Sequence, residues 1–144
     1  MMDLVFEPFV GVGALKFGMS ESEVELIQTT MDGIGSCDYE EGKLSAIELY
    51  PDDLKHLFFS GEDVLQMGKL QAALYVAGHS ADYGQAQGGS LYFMDLGCAI
   101  LQFETVARSF VFFAREHDID EPLEGMALED IESYYKVQTS GRSD

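Results

Sequence analysis

Apolar and polar positions alternate with two different periods along this chain. In "ESEVELIQTTM", Glu21 to Met31, the residues Val24, Ile27 and Met31 fall on one side of a 3.6-residue repeat, which predicts a helix. In "LSAIELY", Leu44 to Tyr50, and "AILQFE", Ala99 to Glu104, the alternation predicts strands with one face on helices and one more exposed. Further strands are predicted over Ala14–Phe17, Ser36–Glu40, Leu54–Phe59, Ser90–Leu96, Cys98–Glu104 and Ser109–Arg115. A second helix is predicted over Asp63–Ala77. In "MALEDIESYYKV", Ala127, Ile131, Tyr134 and Tyr135 recur at helical spacing, so a third helix is predicted over about 126–137.

The helix starts carry signals of their own. Ser20 precedes Glu23 by three residues, the spacing of a capping box, and Met19 and Val24 occupy the hydrophobic-staple positions around it. Glu21 and Glu23 suit the positive end of the helix dipole, and Gly18 supplies backbone freedom where strand turns into helix. In "LFFSGEDVLQ", Leu57 to Gln66, Ser60 and Asp63 repeat the box, and Phe59 and Val64 repeat the staple. "AIELYPDDLKHLFF", Ala46 to Phe59, also overlays "ILQFETVARSFVFF", Ile100 to Phe113, without gaps. The two matches in the same order predict a duplication. The polar, glycine-rich stretch Gly78–Ser90 is expected to be a loop holding the residues by which the second unit is longer. The expected fold is α+β, a single domain over 1–138. It comprises two tandem units, about 14–59 and 60–115, each a helix plus an antiparallel β-meander, with helices on one face of the sheet. A C-terminal helix follows, and residues 139–144 are expected to be a flexible tail.

The residues Gly18, Met19, Ser20 and Val24, a strand end in Gly-Met-Ser followed by a helix-opening Val, resemble the motif of the BamE/SmpA-like α/β superfamily. Phe58, Phe59, Ser60 and Val64 form a second copy without the Gly-Met pair. Duplicated helix-plus-meander units are similar to the β-lactamase-inhibitor-protein architecture, and some small bacterial immunity proteins share the motif. The resemblance covers about a tenth of the chain. It implies a fold and a habit of binding other proteins, not an activity. The lipidated cysteine of BamE-type lipoproteins has no counterpart, so an outer-membrane role is not expected.

Charge sharpens this picture. The 144 residues hold 26 acids against 8 Lys plus Arg, a formal charge of −18, which excludes nucleic-acid binding through phosphate contacts. Residues 20–63 carry a net −10, residues 64–115 are neutral, and residues 116–144 carry −7. Such a surface either keeps a protein soluble or meets a basic partner, with complementarity speeding encounter. Cys37 and Cys98 have no metal-ligand spacing and read as small buried hydrophobes. "MMDLVFEPFV" lacks the features of a signal peptide, and no apolar run reaches the roughly 18 residues of a membrane span. A cytoplasmic protein is expected.

Chemistry-bearing patterns are sparse. His56, His79 and His117 are scattered without a partner at metal spacing, and His117–Glu124 departs from a calcium-loop pattern. No nucleophile elbow or phosphate loop is present. A non-enzyme without cofactor is expected. The candidate partner-binding residues are acids beside aromatics: Asp38, Tyr39, Glu40 and Glu41 on a hairpin; Tyr50, Asp52 and Asp53 at the next turn; and Tyr134 and Tyr135 in the last helix. The favoured reading is an immunity-type inhibitor of a basic toxin or effector. The alternatives are a self-associating homodimer, suggested by the aromatic run "SFVFFAR", Ser109 to Arg115, or a small-molecule binder with Gly78–Ser90 as a lid over a cleft between the units.

Overall fold

The capping box at Ser20 forms as its spacing requires in the computed structural model, which describes residues 3–30, 35–81, 83–86, 89–115, 117 and 123–140. The Ser20 amide donates to Glu23 Oε1 at 3.1 Å, and the Glu23 amide donates to Ser20 Oγ at 3.3 Å. Gly18 turns the chain with φ +94°. Val24 then faces the core fully buried, with Met19 and Ile27 half-buried against the same cluster. Met31 lies outside the described residues.

The protein is α+β. The chain opens with β1 (Asp3–Glu7), β2 (Gly11–Val12) and β3 (Leu15–Lys16), which lead into α1 (Glu21–Thr30). The hairpin of β4 (Ser36–Glu40) and β5 (Lys43–Leu49) follows, then β6 (His56–Phe59) and β7 (Glu62–Asp63). After α2 (Lys69–Ala77) come β8 (Tyr83–Ala86), β9 (Ser90–Phe93), β10 (Cys98–Leu101) and β11 (Ser109–Phe113). Last among the described elements are β12 (Glu124–Gly125) and α3 (Leu128–Thr139). The strands form two sheets, ordered β3-β2-β1-β6-β7 and β12-β8-β9-β10-β11-β5-β4.

Three local expectations differ from what forms. The strand predicted over Leu54–Phe59 begins at His56 and leaves the meander: β6 pairs in parallel with β1, with Leu4 opposite Leu57 and Phe6 opposite Phe59. Ser60 does not cap a helix. Ser60 and Gly61, at φ +50° and +86°, make the two-residue turn between β6 and β7, where the strand twist favours left-handed backbone. Asp63 instead accepts from the Leu65 amide over a short 3₁₀ turn, Val64–Gln66, and α2 starts only after Gly68. Gly78–Ser90 is not all loop, because β8 lies inside it, antiparallel to β9.

The run at Ser109–Phe113 sits between β10 and β5, with Phe112 opposite both Cys98 and Ile47. Phe110 and Phe112 enter the main core, which also takes Val24 from α1, Ala72, Ala73, Val76 and Ala77 from α2, and Ile131 from α3. Phe113, with Val111 partly buried beside it, turns to a smaller cluster with Ala46, Tyr92 and Ala99 on the opposite face. Both faces of this strand are covered within one chain. No helix among the described residues is long and apolar enough to cross a membrane.

The sheets meet at Phe6, whose ring lies 4.4 Å from Phe112 and 5.6 Å from Phe59. Phe6→Ala should cost about 3–5 kcal/mol through lost transfer energy and a cavity. Ser20→Ala, which removes one exposed cap, should cost about 1 kcal/mol. Urea unfolding of both variants checks the ranking; equal losses would contradict the placement of Phe6 at the joint between the sheets.

Candidate functional site

The acidic hairpin forms the far edge of the larger sheet. Glu41 and Gly42, at φ +53° and +78°, make its two-residue turn, which lets Glu40 pair with Lys43. A bulge between Asp38 and Tyr39 shifts the register and bends the strand locally. β4 pairs with β5 on one side and with no other described strand. Along it the side chains of Ser36, Asp38 and Glu40 are exposed, whereas Cys37 and Tyr39 are half-buried. Gln28 of α1 donates to Cys37 Sγ at 3.6 Å. Burial, and after it the charge of Cys37 and the α1 carboxylates Glu21 and Glu25, push the Tyr39 hydroxyl up. Burial likewise raises both thiols, Cys98 strongly and Cys37 with help from Asp38, which makes each a poor nucleophile.

The second cluster lies at the other end of β5. Tyr50 is 40% exposed, and Asp52 and Asp53 are exposed in the 3₁₀ turn Pro51–Asp53. Seven residues of β5 separate this turn from the hairpin tip, a distance of roughly 20 Å at strand rise. The third cluster joins neither. The rings of Tyr134 and Tyr135 pack on fully buried Phe103 at 5.9 and 6.2 Å, which leaves both half-buried between α3 and the sheet.

The hairpin tip also walls a cleft of about 780 Å³, lined by Glu40, Glu41, Lys43 and Ser45 together with Phe9, Phe17 and Arg115. The Arg115 guanidinium lies 4.0 Å above the Phe9 ring. Ser45 is buried beside it and donates to the Asp38 carbonyl at 3.3 Å. His117 brings a third group, with Nδ1 3.2 Å from Ser45 Oγ and 3.3 Å from Glu40 Oε1. Serine, histidine and carboxylate are thus together, but a triad needs the serine on one ring nitrogen and the acid on the other. Here both address Nδ1, so the arrangement cannot relay a proton from serine to imidazole while the acid orients the ring. It ties the end of β11 to β4. Sequence reasoning missed Ser45, Arg115 and His117 as neighbours because their meeting follows from the β5–β11 pairing, in which the Ala114 amide donates to the Ser45 carbonyl at 2.8 Å.

A second histidine is paired on the smaller sheet. His56 Nδ1 lies 2.5 Å from Asp63 Oδ2, while Asp63 Oδ1 accepts from the Leu57 and Leu65 amides at 3.1 Å each. No group of three His, Cys, Asp or Glu among the described residues could hold a metal. Asp118 to Pro122, within the acidic stretch His117–Glu124, lie outside the described residues.

Comparison with family models, with curated proteins and with solved structures finds no match for this chain.

Burial raises the Asp63 carboxyl, but the hydrogen bonds from His56 and the two amides outweigh it and hold the group below the usual carboxylate range. A carboxylate whose folded-state value is depressed stabilises above its unfolded value of about 3.9 and loses that contribution as pH falls through the folded value. Asp63→Asn should therefore cost about 1–3 kcal/mol at pH 7. It should also flatten the fall in stability below about pH 4. Urea midpoints at pH 7 and at acid pH test this; an acid slope unchanged from the parent protein would count against Asp63.

Proposed function

We propose that this chain is a non-enzymatic, acidic protein-binding module acting in the cytoplasm. It is an immunity-type inhibitor that neutralises a basic toxin or effector without a cofactor. The observation that carries the reading is the edge strand β4, with Asp38 and Glu40 exposed and Glu41 at its turn, on a chain of charge −18. An unpaired edge invites strand addition, and charge on it limits that addition to a partner of opposite sign. Rim acids act chiefly on the association rate and on the rejection of wrong partners. Tyr39 lies on the same strand, Tyr50, Asp52 and Asp53 offer a separate acidic turn at the far end of β5, and Tyr134 and Tyr135 contribute only what packing on Phe103 leaves accessible. Two free thiols suit a reducing compartment.

The kinship with the BamE/SmpA-like superfamily is supported by the local form of Gly18–Val24, a sharp turn running into a boxed helix. The tandem-unit reading is supported by the shared order of a helix and then antiparallel strands, α1–β4–β5 and α2–β8–β9–β10–β11. The parting of β6 from β5 counts against overlaying Ala46–Phe59 on Ile100–Phe113. The self-associating alternative loses its motive, since the aromatic run is buried on both faces in one chain. The small-molecule alternative rests on the 780 Å³ cleft, which no described residue of Gly78–Ser90 lines.

The test is capture of a partner at low salt, purification of that protein, and stopped-flow association with the parent chain and with the triple reversal Asp38→Lys, Glu40→Lys, Glu41→Lys. The partner should be basic. The reversal should slow association by about tenfold or more, and rising salt should narrow the gap. A neutral or acidic partner, or an association rate that ignores the reversal, would sink the reading.

A further inference from the structure

Two of the chain's eight Lys and Arg residues, neither with a carboxylate partner among the described residues, line a second cleft. It has a volume of about 350 Å³ and lies between the 3₁₀ turn Pro51–Asp53, the start of α2 and the loop before β11. Arg108 and Lys69 stand in its walls with Tyr50, Asp52 and Val106. The local chain fixes Arg108. Thr105 Oγ1 donates to the Gln102 carbonyl at 3.1 Å and accepts from the Ala107 amide at 3.1 Å, and the Arg108 amide donates to the Thr105 carbonyl at 3.3 Å. The guanidinium then lies 5.1 Å from the centre of the buried Phe110 ring.

That position is costly for a cation. Arg108 Nη1 is buried and makes no hydrogen bond among the described residues, and no ion pair there involves either Arg108 or Lys69. A desolvated guanidinium is ordinarily matched by a carboxylate or phosphate, which its planar fork meets with two parallel hydrogen bonds. Asp52 shares the cleft without pairing to it. Burial also lowers the Arg108 pKa, which registers the same missing counter-charge.

We infer that this cleft binds a carboxylate-bearing ligand, with the carboxylate opposite Arg108 and Lys69 and an apolar or aromatic body against Tyr50 and Val106. The rim is suited to such a body, because Tyr50 is 40% and Val106 88% exposed at the mouth. The volume falls at the small end of the range of ligand pockets, about 300–1,000 Å³. Asp52 selects within the oxyanions: one like charge beside the site tolerates a monoanion better than a phosphate dianion. The site is independent of the hairpin edge and carries no covalent chemistry.

The probe is benzoate, with benzamide as its neutral isostere and inorganic phosphate as the competing oxyanion, each followed by amide chemical shifts of the folded full chain. Benzoate should saturate with a dissociation constant in about the millimolar range, moving Thr105–Arg108 and Lys69, while benzamide and phosphate move them far less. Arg108→Gln should weaken benzoate by at least about tenfold, the worth of a charge-assisted bidentate pair. Because that side chain is half-buried and its loss could unfold the loop, two further variants on other walls of the cleft stand beside it. Lys69→Gln should weaken benzoate by about threefold, and Asp52→Asn should tighten it by about twofold, both being partly screened effects. No saturable shift with benzoate, an equal response to benzamide, stronger binding of phosphate, or affinities indifferent to Lys69→Gln and Asp52→Asn would each overturn the assignment.

Discussion

The contact of Phe6 with Phe112 is the constraint on which the rest of this molecule depends. Phe112 sits on β11, an interior strand of the larger sheet, and Phe6 on β1, the central strand of the smaller one, and their rings lie 4.4 Å apart. From Phe6 the aromatic packing continues to Phe59 at 5.6 Å, and from Phe59 to Tyr75 and His79 on and beyond α2 at 6.2 and 5.5 Å. One chain of rings thus links sheet to sheet to helix. Each fully buried ring contributes about 2–3 kcal/mol by area, and each good ring pair adds about 0.5–1.5 kcal/mol. The parallel pairing of β1 with β6 is what delivers Phe6 and Phe59 side by side, so the N-terminal strand is part of the core and not an appendage.

Features set by near neighbours were legible in the sequence, and features set by distant ones were not. The box at Ser20 could be read because its partners stand three residues apart, and the β4–β5 hairpin because Glu41-Gly42 suits its turn. The same Ser-x-x-acid spacing misled at Ser60, where Gly61 makes left-handed backbone cheap and a strand turn wins over a helix start. The β1–β6 pairing joins residues more than fifty positions apart, and no periodicity within either segment reports it. β8 was hidden for a different reason. Gly84 reads as loop, yet it is there because the β12 backbone comes so close that a Cβ would sit 2.9 Å from the Glu124 carbonyl oxygen. Of the candidate site, the exposed acids were legible from composition. The Ser45–His117–Glu40 cluster and the Arg108 cleft were not, because strand pairing and loop folding bring their members together.

The acidity of residues 20–63 resolves into separate roles once each carboxylate is located. Glu23 serves the box at α1, Asp63 satisfies two amides and His56, and Glu48 accepts from the Ser109 hydroxyl at 2.7 Å. These acids do structural work. What remains exposed at the ends of β5 is a smaller set, Asp38 and Glu41 with Glu40, which also meets His117, at one end and Asp52 and Asp53 at the other. The formal charge of −18 therefore overstates the field that any one partner would meet at contact.

The two ends of β5 differ in what surrounds their acids, and that difference keeps the two proposed sites apart. At the hairpin tip the carboxylates stand at the open edge of the sheet, whereas at the Pro51–Asp53 turn Asp52 faces a cleft shared with Lys69 and Arg108. β5 is held between β4 and β11, with Ile47 and Leu49 fully buried beneath it, so the spacing of its ends is fixed by the core. That spacing of roughly 20 Å exceeds the Debye length of about 8 Å at physiological salt. Exposed charge at one end is therefore largely screened from the other, and a basic surface docked on the hairpin would leave the Arg108 cleft both open and electrostatically unaltered.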